Sequence, residues 1–154
     1  MENLTERYKV VGALAPVDKA ANAIASKPVN MAALEQVTFL LYWGAMDTTG
    51  TVTVERGATT SLGTAMAFNY QVASTGAAAY SELDGALTAA SASGVAMVAT
   101  NDNLIYAITI NDTELSTSQY VGVKVSGAGS ANLVTIVALG RYKRSQAIPA
   151  TVVA

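Results

Sequence analysis

Chemistry in this chain must be done by carboxylates, amines, guanidinium groups and hydroxyls, because its 154 residues include neither Cys nor His. That removes thiolate nucleophiles, thiolate and imidazole metal ligands, the Ser-His-Asp arrangement and the side chain that usually moves protons near neutral pH. The acidic residues remain: Glu82 and Asp84 could combine with Asp102, or with Asp112 and Glu114, as a carboxylate pair or an oxygen-ligand site for a hard cation. Nothing in the spacing forces this. No EF-hand loop is present, and Asp102 and Asp112 sit in "TND" and "IND", contexts in which Asn and Asp fold the backbone into turns. The expectation is turn chemistry and solvation, with no metal, no cofactor and no enzymatic activity. The glycines make no phosphate cradle either: "GALAPVDK" lacks the second Gly and the Lys-Ser/Thr of a P-loop, and "SGAGS" reads as a hairpin loop.

The other chemical cluster is basic. Arg141, Lys143 and Arg144 fall within "GRYKRSQAIPATVVA", and residues 145–154 carry no charged side chain. The whole chain has 9 Lys and Arg against 11 Asp and Glu, a net charge of −2, so it projects no long-range positive field for a polyanion. Nucleic acid is therefore not an expected partner. A solvated strand end is the plain reading; a protein interface is the sharper one, since Arg beside Tyr is a common anchor composition. Strand alternation would put Arg141 and Lys143 on one face, Tyr142 and Arg144 on the other. Trp43, the one Trp, lies beside Tyr42 in an apolar strand, so the two rings point to opposite faces. Both could be buried in a sheet covered on two sides, or one could face a neighbouring subunit. The candidate interface residues are Tyr8, Trp43, Arg141, Tyr142, Lys143, Arg144, Ile148 and Pro149.

The elements that position these residues are strands. "QVTFLLYWGAM" (36–46) is β-branched and aromatic and apolar on both faces, the pattern of a central strand covered on both sides. "DTTG" then reads as a turn and "TVTVER" as the second strand of a hairpin, Val52 and Val54 facing one way and Thr51, Thr53 and Glu55 the other. "AMAFNYQV" puts Met66, Phe68, Tyr70 and Val72 on one face. "VAMVATND" is a strand running into a turn, and "NLIYAITIND" turns Leu104, Tyr106, Ile108 and Ile110 to one side. "YVGVKVSG" points Val121, Val123 and Val125 inward and Lys124 outward, and "NLVTIVALGRYKR" is apolar through Leu139 before turning basic. About seven short strands with frequent turn signals and no long amphipathic helix define an all-β antiparallel β-sandwich or jelly roll. Residues 1–33 read as an N-terminal arm, 34–144 as the sandwich domain and 145–154 as a C-terminal arm. Within the first arm "DKAANAIA" could make a helical turn or two, marginal alone.

Composition adds a surface argument. Charged residues make up 13% of the chain, about half the roughly 25% usual in soluble domains. A lone monomer would ordinarily carry more charge for solubility, so much of this surface is expected to be covered by sister subunits. "VVGALA" near the start is too short, and flanked by Glu2 and Glu6, to read as a signal peptide; no window reaches the roughly 20 apolar residues of a membrane helix. The expectation is a soluble chain with no membrane partner.

Three segments carry a family resemblance: "LTERYKVVGALAPVDKAAN", "QVTFLLYWGAMDTTGTVTVE" and "VALGRYKRSQAIPATVVA". Their layout, a "KVV-A-AP" element, a hairpin and an "RY…P" tail framing a β-rich middle, resembles that of small structural proteins of tailed bacteriophages. The resemblance implies a capsid decoration or cement protein, made in the host cytoplasm and bound to the outer surface of the icosahedral head. Its implied partners are the major capsid protein and sister copies in a dimer or trimer, and no catalytic residue is carried over. A different class, a tail- or fibre-associated module binding host-surface glycans, is the alternative expectation.

Overall fold

The structure, a computed structural model, describes residues 7–18, 23–46, 49–73, 83, 85–98, 103–127 and 132–143. Its strands are β1 (Tyr8–Asp18), β2 (Ile24–Ala25), β3 (Val29–Asn30), β4 (Leu34–Met46), β5 (Gly50–Gly57), β6 (Thr64–Met66), β7 (Phe68–Val72), β8 (Thr88–Ala90), β9 (Val95–Met97), β10 (Ile105–Asn111), β11 (Tyr120–Gly127) and β12 (Asn132–Tyr142). One 3-10 turn, Asp112–Leu115, separates β10 from β11. The first sheet has the order β1-β12-β4-β10-β7-β8; the second has β2-β11-β5-β6, with β3 also pairing β11 and β9 also pairing β5. All these pairings are antiparallel.

The chain is an all-β sandwich, and alternation explains why. β4 sends Val37, Phe39, Leu41 and Trp43 to the inside, β10 sends Tyr106, Ile108 and Ile110, and β12 sends Val134, Ile136 and Ala138. Opposing them, the second sheet contributes Val52, Val54, Val121, Val123 and Val125. These residues form one buried cluster. Each strand thus buries one face against the other sheet, and removing that apolar area from water holds the layers together.

The structure departs from the local reading of these strands in three places. β4 and β5 are not a hairpin: β4 lies between β12 and β10 in the first sheet, while β5 pairs β11, β6 and β9 in the second. Crossing between sheets lets the apolar face of each strand look into the same core. The stretch 65–72 is likewise divided, β6 pairing β5 and β7 pairing β10, with Met66 and Phe68 buried on either side of Ala67. β4 is buried on its inner face only, since Trp43 is fully buried while Tyr42 is 42% exposed.

The segment expected to be an N-terminal arm is stitched to both sheets. β1 pairs β12 from Tyr8–Arg141 to Asp18–Leu133 and forms the edge of the first sheet. Pro16 sits where the β1 register shifts between Leu14 and Val17, a place where an edge strand tolerates a residue without an N–H. Further on, Ile24–Ala25 is strand rather than helix. β2 and β3 both pair β11, and Ser26 bridges the interval between them: its N–H donates to Val123 O at 2.8 Å, and its Oγ accepts from Val123 N at 3.0 Å. Ser26 is the one buried polar residue among those described.

Candidate interface at the basic end of the sandwich

β12 delivers its basic residues to one corner of the first sheet. Arg141 stands opposite Tyr8 on one side and Gln36 on the other, so the residues entering from position 7 and those leaving at position 143 meet there. The Arg141 Nε donates to Glu35 Oε1 at 2.5 Å. Just beyond the strand, Lys143 is held by three contacts: its N–H donates to Ala33 O at 3.1 Å, its Nζ reaches Asp112 Oδ2 at 2.9 Å and Ala32 O at 3.3 Å. Arg141 and Lys143 are thus paired within the chain at a partly exposed strand end.

Of the acidic partners, Glu35 lies on β4 and Asp112 opens the 3-10 turn. Glu114 reaches back so that Oε2 accepts from Asn111 N at 2.6 Å and from Asn111 Nδ2 at 3.1 Å, half of a reciprocal cap at the start of the turn. Its backbone carbonyl accepts from Arg56 Nη1 at 2.8 Å. Gln36 Nε2 donates to Asn111 Oδ1 at 3.0 Å, which joins β4 to the same corner. Asp112 and Glu114 therefore serve as a counter-ion and a cap. Among the described residues no group of three or more Asp and Glu is placed to hold a metal ion. Glu82, Asp84 and Asp102 lie outside the described residues.

The expected interface residues separate into four sets. Tyr8 and Arg141 lie together at the corner, Tyr8 half-buried and Arg141 exposed. Tyr142 and Lys143 share the corner, but the register shift between Arg141 and Tyr142 sets Tyr142 opposite Leu34 and packs it against the core, while Lys143 stays partly exposed. The Tyr142 hydroxyl is buried without a hydrogen-bond partner among the described residues, and burial raises its pKa. Trp43 is a correction: it lies wholly in the core, so it cannot contact another subunit, and the exposed ring of the pair is Tyr42. Arg144, Ile148 and Pro149 lie outside the described residues.

A larger surface feature than the corner emerges from the registers. The rows Val10–Leu139–Thr38–Thr109 and Gly12–Val137–Leu40–Ala107 run across the outer face of the first sheet, with Thr135–Tyr42–Ile105 beside them. This face is largely apolar, with Val10, Tyr42 and Leu133 exposed at 42%, 42% and 49%. Gly44 helps to level it, since a Cβ there would stand 3.2 Å from the Leu133 side chain. The outer face of the second sheet is of the ordinary solvated kind: Thr51, Thr53 and Glu55 pair with Ser126, Lys124 and Gly122, and Lys124 Nζ meets Glu55 Oε1 at 3.1 Å. The local signal for this contrast was the two-faced apolarity of β4 and β12; which neighbours continued it was not visible along the chain.

A small cleft of about 230 Å³ lies over the second sheet, lined by Ser26, Glu55, Leu62 and Lys124 among others. Its Ser26, Glu55 and Lys124 side chains are engaged with one another or with backbone. Among the described residues no helix is long and apolar enough to cross a membrane. No protein-family model, no curated protein and no solved structure matches the chain, so its class rests on its own geometry. That geometry is an antiparallel β-sandwich with one solvated and one apolar outer face.

Proposed function

We propose that this chain is a structural protein of a bacteriophage virion, a capsid decoration or cement protein that binds the outer surface of the head and stabilises it together with sister copies. The observation carrying the reading is that the chain segments on both sides of the sandwich join it at one corner, where Tyr8 stands opposite Arg141. Two segments anchored side by side can engage one neighbouring surface, and paired attachments strengthen one another when many copies act together. The 13% content of charged residues and the apolar outer face of the first sheet fit a protein that works while covered by other subunits. A glycan-binding module would favour a platform of several exposed rings, and Tyr42 is the one exposed aromatic residue among those described.

The test is the composition and image reconstruction of purified particles from an infected host that encodes the chain. Density for this sandwich on the outside of the head, and its peptides in the particle, are expected. Its absence from particles overturns the proposal. Deletion of residues 145–154 is expected to leave the sandwich folded and to lower particle occupancy; unchanged occupancy removes that segment from the attachment.

A further inference from the structure

We infer that the outer face of the first sheet is where a second copy of this chain packs, sheet against sheet. This deepens the proposed function by naming the surface through which sister copies meet, and it rests on that reading.

Three observations converge on this face. The first is its apolar character beside its counterpart: Leu40, Tyr42, Val137 and Leu139 stand among Thr38, Thr109 and Thr135, whereas the outer face of the second sheet presents Thr51, Thr53, Ser126 and the Lys124–Glu55 pair with no large aliphatic side chain in those rows. The same chain has therefore built one face for water and one that water solvates poorly.

The second is that several polar side chains on the face are already paired inside the chain. The Thr38 and Thr109 hydroxyls bond to each other at 3.1 Å, Thr135 Oγ1 donates to Leu14 O at 2.9 Å, and Gln36 Nε2 donates to Asn111 Oδ1 at 3.0 Å. Covering such a face leaves none of these groups without a partner, so the usual desolvation cost of burying hydroxyls and amides is small. A surface meant for a glycan or a nucleic acid would need those groups turned outward for the ligand.

The third is size. With β7 added to β1, β12, β4 and β10, five strands at about 4.8 Å spacing and on average about nine residues at about 3.3 Å rise make a face of about 24 by 30 Å, or about 700 Å², with Asn69 and Gln71 of β7 at its margin. A stable protein interface buries about 800 Å² on each partner, so one sheet face of this area suffices for a pair without further contacts. A second copy is the partner such a face fits. It offers the same area, the same pleat and the same aliphatic rows, a two-fold axis in the plane of contact makes the pairing self-complementary, and aligned sheets pack about 10 Å apart. The Arg141–Glu35 pair stays at the border, where it remains wet.

The experiment uses the isolated full chain and no particles. Sedimentation equilibrium of the wild type is expected to show a dimer, and Leu40→Lys to weaken it by about 100-fold or more, since a buried unpaired ammonium costs several kcal/mol. Thr53→Lys on the opposite face should leave the dimer unchanged. Because the chain has no Cys, a spin label at Leu40→Cys or at Thr53→Cys is unique, and it reports the contact even if the Lys variant unfolds. Labels at 40 should lie within about 25 Å of each other and labels at 53 beyond about 40 Å, from four stacked layers about 10 Å apart. A monomer at all concentrations, a dimer weakened by Thr53→Lys but not by Leu40→Lys, or short distances at 53 instead of 40 would each overturn the inference. So would binding of the wild type to phosphatidylcholine vesicles that Leu40→Lys abolishes, which would give the face to lipid. A dimer through this face that is missing from particles would defeat the virion reading alone; a monomer found on particles would defeat this inference alone.

Discussion

Replacing Ser26 by Ala tests how residues 23–30 are held to the sandwich. Ser26 is buried, and its Oγ fills the place that a strand carbonyl would otherwise take opposite Val123 N, at 3.0 Å. Pro28 can donate nothing from its own nitrogen, so the pairing of β11 with β2 and β3 is interrupted in this interval and the hydroxyl closes it. The substitution removes the acceptor and leaves the Val123 N–H inside the protein without a partner. An orphaned buried donor costs about 1–3 kcal/mol, and the weaker 3.2 Å bond from Ser26 Oγ to Lys27 O is lost as well. The expected loss is about 2 kcal/mol, or about 6 °C in Tm for a chain of this length. Urea titration followed by the fluorescence of Trp43, the sole and fully buried Trp, measures the loss directly. Hydrogen exchange at Val123 then locates it: that amide should exchange faster while the amides of β4 do not. Lys27→Ala, an exposed neighbour, should change stability by less than about 0.5 kcal/mol. A Ser26→Ala variant within about 0.5 kcal/mol of wild type, with unchanged exchange at Val123, would refute the argument.

Alkaline titration should expose Tyr106, whose pKa is pushed up to about 12 by burial and, secondarily, by Tyr70 stacked 6.3 Å away. The unfolded chain releases this proton near pH 10 and the native chain near pH 12, so stability intact below pH 10 should fall by about 2–3 kcal/mol on going to pH 12, and Tyr106→Phe should flatten that slope in denaturant titrations. Gly94→Ala should cost about 2 kcal/mol or more in thermal unfolding, because Gly94 has φ +88° and a Cβ would stand 2.3 Å from Val52 O. Arg141→Gln and Lys143→Gln should each cost less than about 1 kcal/mol, since both ion pairs are partly solvated; a larger loss by calorimetry would show that this corner holds the fold together.

Much of the fold was legible because β-alternation is a local property. The inward sets Val121–Val123–Val125 and Tyr106–Ile108–Ile110 are visible in their own segments and are buried as expected. The corner was only half legible. The run Arg141–Lys143 announces itself, but its counter-charges Glu35 and Asp112 come from distant segments with no mark of the pairing. Alternation also separated Tyr42 from Trp43 without saying which ring the core would take, because either parity of β4 is apolar.

What the sequence by itself determined is the class: a chain without Cys or His, low in charge, whose period-two patterns must bury one face of each strand in an all-β sandwich. Tertiary structure alone decided the partners. It placed β4 between β12 and β10 rather than beside β5, turned residues 8–18 into an edge strand, and gathered Leu40, Val137 and Leu139 into one outer face. The physical reason is that side-chain direction follows from neighbouring residues, whereas strand pairing is chosen by the burial of whole faces, a property of the assembled sheets.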